Sequence, residues 1–96
     1  MKVIVHPLAE KELEAVFDYY AELDKDLSLR FWNEFQNGII RIKLNPAAWT
    51  HCQNNCRRYL LNRFPYAIIY RKNDSQIEVI ALMHLKRKPE YWTSRI

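Results

Sequence analysis

The run RRYLLNRFPYAIIYRKNDSQIEVIALMH, residues 57–84, decides how this chain folds. Within it, Arg57-Arg58-Tyr59-Leu60-Leu61, Tyr66-Ala67-Ile68-Ile69-Tyr70 and Ile77-Glu78-Val79-Ile80-Ala81-Leu82-Met83 are β-branched or aromatic stretches of strand length. Pro65 cannot donate into a central ladder, which puts it at a strand start or an edge. Asn73-Asp74-Ser75 supplies the turn between the second and third stretches. The third stretch is apolar on both faces, which predicts a place at the sheet centre.

Upstream of residue 57 the period changes. Pro46 to Asn55 reads as a loop, rich in Asn and carrying Trp49. Before it, Phe31, Trp32, Phe35, Ile39 and Ile42 form a helical stripe that runs to Leu44, where Asn45-Pro46 stops it. Asp24-Lys25-Asp26 offers carboxylates to cap the start of that helix. Gly38, the one glycine in the chain, falls inside it at a cost of about 1 kcal/mol relative to Ala, which calls for a close crossing with another helix or the sheet. Ala9, Leu13, Val16, Phe17 and Tyr20 mark an earlier amphipathic helix over about residues 7–23, with Pro7 suited to its first position. Glu10, Glu12 and Glu14 lie near its positive end. Lys2 to His6 is a short strand. The expected architecture is α+β, in the order β-α-α-β-β-β. A helical hairpin packs on one face of a small, mainly antiparallel sheet, all in a single domain over 1–96.

Ninety-six residues, 49% of them hydrophobic, suit one compact core and exclude low-complexity disorder. No apolar run approaches the roughly 18 residues of a membrane span, and no charged-then-apolar leader opens the sequence. A soluble, cytoplasmic protein is expected. The net charge of +4 is unevenly shared. Residues 1–50 hold six Lys/Arg against eight Asp/Glu, whereas residues 51–96 hold nine against three. The second half must therefore present a positive field, which attracts phosphate backbones or acidic proteins.

The sheet face away from the helices is expected to stay open and to carry that charge: Arg57, Arg58, Arg63, Arg71, Lys72, His84, Lys86, Arg87, Lys88 and Arg95. Tyr59, Tyr66, Tyr70, Tyr91 and Trp92 are interleaved. Such a surface either binds nucleic acid through phosphate attraction and base stacking or is a solvated sheet face. His84, at a strand end among cations, has two readings: a neutral general base for attack by an RNA 2′-hydroxyl, or a structural imidazole bonded to the backbone. Arg63 before Phe64-Pro65-Tyr66 is either a held functional group or a surface ion pair. Cys52 and Cys56 beside His51 lack the four-ligand pattern of structural zinc and read as free thiols. No metal and no cofactor is expected.

The Arg57–Tyr70 stretch and the ending Ile80-Ala81-Leu82-Met83-His84, followed by Arg87, Pro89, Trp92 and Arg95, resemble the RelE/ParE superfamily of bacterial toxins. Ala9, Glu12-Leu13, Tyr19-Tyr20, Phe31, Phe35 and Pro46 are similar too. The resemblance implies the toxin of a type II toxin–antitoxin system, neutralised by a cognate acidic antitoxin. RelE-like members cut ribosome-bound mRNA without metal, while ParE-like members act on DNA gyrase. On the nuclease pattern the catalytic positions are His84, Arg63, Arg87 and Tyr91, with Arg57, Arg58, Lys86, Lys88 and Arg95 binding phosphate or target. The stretch 46–56 carries no lysine and Leu85 follows His84, both departures from that pattern. The gyrase reading places contact in the basic C-terminal region. A third reading is an inactive relative that acts only by binding protein.

Overall fold

In the computed structural model, which describes residues Met1–Ile96, strand β1 (Lys2–Val5) turns directly into helix α1 (Pro7–Leu23). His6 makes that turn. Its N–H donates to the Val79 carbonyl at 2.8 Å, and its Nδ1 accepts from the Leu8 N–H at 3.0 Å as a helix cap. Asp24 serves two helices at once. Its N–H donates to Tyr20 O at 2.9 Å and ends α1, while its carboxylate accepts from the Asp26 N–H at 2.9 Å and starts α2 (Lys25–Leu44). A joint of one residue folds the two helices back on each other.

Strands β2 (Thr50–His51), β3 (Arg57–Leu60), β4 (Tyr66–Asn73) and β5 (Gln76–His84) complete a five-stranded sheet in the order β1-β5-β4-β3-β2. β1 runs parallel to β5 and every other pair is antiparallel. The expected α+β layout holds, with two corrections. The loop expected over 46–55 contains β2, and β4, not β5, takes the middle position. β5 is internal all the same, flanked by β1 and β4.

Val79 to Met83 of β5 is apolar on both faces because a core lies on each side of it, and a bulge sets which residue faces which. Its pairing with β4 steps from Ile69↔Ala81 to Tyr70↔Val79, so Ile80 has no partner of its own. Ile77, Val79 and Leu82 join Phe31, Phe35, Ile42, Tyr59, Ile68 and Tyr70 in the core beneath the helices. Ile80, Ala81 and Met83 join Cys56, Ala67, Ile69 and Trp92 in a second core. Ala67 and Ile69 alternate with Ile68 and Tyr70 along β4, so this second core lies on the opposite face of the sheet. The expectation of an open cationic face is therefore overturned: Trp92, 1% exposed, and the residues around it cover much of it.

Gly38 marks the closest approach of α2 to the sheet. A Cβ there would stand 2.8 Å from Tyr59 Cε1 and 3.1 Å from Ile68 Cδ1. No helix is long and apolar enough to cross a membrane.

Candidate functional site

The segment after β5 is held by one carboxylate. β1 stops pairing with β5 at Val79, and two backbone groups further along β5 turn to side chains instead. Glu12 accepts from the Leu82 N–H at 3.1 Å, and Arg95 donates to the Ile80 carbonyl at 3.0 Å. Arg95 also grips both Glu12 oxygens, at 2.8 and 2.9 Å, and the Tyr91 hydroxyl donates to Glu12 at 2.7 Å. Burial pushes the Glu12 carboxyl upward, but the bonds from Arg95 and Tyr91 outweigh it and hold its pKa below the ordinary range. Burial raises the Tyr91 hydroxyl, and the bond to Glu12 raises it further. Tyr91 therefore stays protonated with its proton committed to Glu12, and Arg95 is committed to the same carboxylate.

The remaining candidates do not converge. Arg58 pairs with Ile69 in register, so it faces the second core, where it lines a cleft of about 320 Å³ with His51, Cys52, Met83, Pro89 and Trp92. Arg63 has a left-handed backbone (φ 72°) and lies on the helix side, in a groove with Leu27, Arg30, Glu34 and Phe64. Arg57 pairs with Tyr70, faces the helix side and donates to the Trp49 carbonyl at 2.8 Å. His84 pairs with Tyr66, so its ring shares the face of the helices and meets the Tyr66 ring edge-on at 5.0 Å. Its Nδ1 accepts from the Lys86 N–H at 3.0 Å. That nitrogen is therefore engaged by the backbone of the turn that follows the strand.

The Lys86-Arg87-Lys88 turn is the one run of exposed cations. Arg87 stacks over the Tyr91 ring at 3.7 Å, and neither lysine forms an ion pair. No group of three His, Cys, Asp or Glu side chains is placed to hold a metal.

An apolar groove runs along the helices. Leu13, Phe17, Leu29 and Trp32 line about 360 Å³ of it, with Glu10 and Glu14 on the rim. Past Trp32 it continues over Val3, Val5, Phe35 and Ile39 as a trough of about 460 Å³. Sequence reasoning placed Leu13, Phe17 and Trp32 on the apolar helix stripes, passed over Leu29, and missed Glu12 as an anchor. The signal for Glu12 was its position: it lies on the buried stripe, three residues after Ala9 and four before Val16, where a carboxylate needs a partner.

Comparison with known proteins gives one consistent answer. Residues 3–89 match the family described as the ParE toxin of the type II toxin–antitoxin system parDE. The chain is 31% identical over 86 residues to Toxin ParE2 of two Mycobacterium tuberculosis strains, CDC 1551 / Oshkosh and ATCC 25618 / H37Rv, with 88% of this chain and 82% of each relative covered. A chain of the chromosomal ParDE system from P. aeruginosa superposes with a TM-score of 0.77 at 18% identity, covering 90% of this chain and 97% of that one. The family match ends at residue 89, before Tyr91, Trp92 and Arg95.

Proposed function

Because the chain belongs to the ParE toxins of type II toxin–antitoxin systems, we propose that it inhibits growth by binding DNA gyrase, without cutting RNA, and that a cognate antitoxin neutralises it. One observation carries the choice of gyrase over ribosome-bound mRNA: the groups a nuclease would need are dispersed or already engaged. Arg58 and Arg63 lie on opposite sides of the sheet. His84 has its Nδ1 engaged by the backbone, and Glu12 holds both Tyr91 and Arg95. General acid–base chemistry at a phosphate needs an acid, a base and a cation within reach of one another.

On this reading the Lys86-Arg87-Lys88 turn supplies the target contact. It is positive, exposed and hydrogen-bonded back to His84 at the end of β5, which suits a negatively charged surface. The antitoxin takes the apolar groove of Leu13, Phe17, Leu29 and Trp32. Glu10 and Glu14 on the rim refine the expectation of an acidic partner: the segment that enters here presents apolar side chains flanked by neutral or basic ones, and its acidic residues lie elsewhere.

The purified chain added to a gyrase supercoiling reaction should inhibit it, and the same chain added to a translating extract should leave transcripts whole. Transcript cuts at A-site codons with supercoiling unaffected would reverse the assignment.

A further inference from the structure

The ladder that pairs Thr50 with Arg58 and His51 with Arg57 continues one step, to Cys52 and Cys56, where the Cys52 N–H donates to the Cys56 carbonyl at 2.8 Å. Facing residues of an antiparallel pair have Cα atoms about 4.5–5.5 Å apart, within the roughly 4.4–6.8 Å that a disulfide bridges. Between them Gln53-Asn54-Asn55 closes the turn, with Asn54 and Asn55 held left-handed at φ 57° and 62°. Both cysteine side chains are free thiols, and both pack with the second core, so they leave the hairpin on the same face. Cys56 is wholly buried, whereas Cys52 is half-buried and opens into the cleft of about 320 Å³ beside Arg58.

We propose that Cys52 and Cys56 are a modification site that closes into an internal disulfide by exchange with a small disulfide oxidant such as glutathione disulfide. The chemistry runs in two exchanges. The Cys52 thiolate, reached through the cleft, attacks one sulfur of the oxidant; a Cys52–glutathione bond forms and one glutathione thiolate leaves. The Cys56 thiolate then attacks Cys52 Sγ, the internal bond forms, and the second glutathione leaves. Two protein thiols are oxidised, one oxidant disulfide is reduced to two thiols, and the two protons lost by the cysteines end on them. The order follows from access. Burial pushes the Cys56 thiol up to about 11 and raises Cys52 as well, where the Gln53 N–H and then the charge of Arg58 work against the rise. Arg58 also attracts the carboxylates of glutathione disulfide to the mouth of the cleft.

The purified chain, treated with glutathione disulfide, alkylated and weighed intact, tests this. Its two free thiols should fall to none, its mass should drop by two hydrogens, and dithiothreitol should restore both. Cys56→Ser should stop at a lasting glutathione adduct on Cys52, and Cys56→Ala serves as the same trap if the serine variant fails to fold. Cys52→Ser should leave Cys56 unmodified. The proposal is overturned if the unaltered chain keeps both thiols, accumulates the glutathione adduct, or forms disulfide-linked dimers in place of the internal bond.

Discussion

Arg95 grips both oxygens of Glu12 across 83 positions of sequence, and that pair fastens the segment after β5 to the first helix. Replacing Glu12 by Gln removes the charge and leaves the Arg95 side chain, only 10% exposed, without its counter-ion. Urea unfolding should show a loss of about 2 kcal/mol, the range for breaking one side of a largely desolvated pair. Tyr91 and Trp92 should become more accessible, seen as a red shift in tryptophan fluorescence.

The same carboxylate makes the fold acid-sensitive. Glu12 titrates below its ordinary value of 4.5 when folded, so the unfolded chain binds the proton more readily. Its contribution is present above pH 4.5 and is lost as pH falls through the lower folded value. Glu78, held by Asn73 and Arg71 against the upward pull of burial, adds in the same direction. Stability measured from pH 6 down to pH 3 should decline, and Glu12→Gln should flatten that decline.

Gly38→Ala sets two effects against each other. Alanine improves helix propensity by about 1 kcal/mol, yet its methyl meets the Tyr59 ring at 2.8 Å. That ring cannot easily yield, because Arg41 donates to its hydroxyl at 2.9 Å and Trp49 packs edge-on at 4.7 Å. Overpacking wins, with a net loss of roughly 1–2 kcal/mol by urea unfolding. Combining Gly38→Ala with Tyr59→Leu should show a favourable coupling between the two changes.

His84→Ala separates the two targets. The imidazole caps the Lys86 N–H and packs against Tyr66, so its loss should lower stability by about 1 kcal/mol. Gyrase inhibition should be unchanged at matched folded concentration. Transcript cutting by the unaltered chain that a stably folded His84→Ala protein lacks would restore a catalytic reading.

Charge and groove variants map the two surfaces. Lys86→Glu with Lys88→Glu should weaken gyrase inhibition at least tenfold, with little effect on melting, and the unaltered chain should itself weaken as salt rises. Leu29→Lys, at a position 48% exposed, should fold normally yet bind antitoxin at least tenfold more weakly, read by calorimetry.

The helices were legible because their signals are local. Pro7, Asp24 and Asn45-Pro46 punctuate stripes of 3.6-residue period, and the structure begins and ends α1 and α2 there. The long strands were legible for the same reason. β2 was not, since two residues carry no pattern and form a strand only because β3 lies beside them. The candidate site was legible in residue type and misread in direction. Side-chain direction in a strand follows register, and register is non-local: pairing with Tyr66 turns His84 toward the helices, and pairing with Ile69 turns Arg58 away from them. The second core was missed although β5 read as apolar on both faces, because its cover, Trp92, comes from beyond the strand and reaches that face only through tertiary folding.

The parallel ladder of β1 with β5 carries a kinetic consequence. Lys2 to Val5 has no partner until Gln76 to Val79 arrives, so this ladder closes a loop of most of the chain and belongs to the late stage of folding. Weakening it should hasten unfolding more than it slows refolding, read from the two arms of a urea chevron, which would make β1 the latch that sets the lifetime of the finished fold.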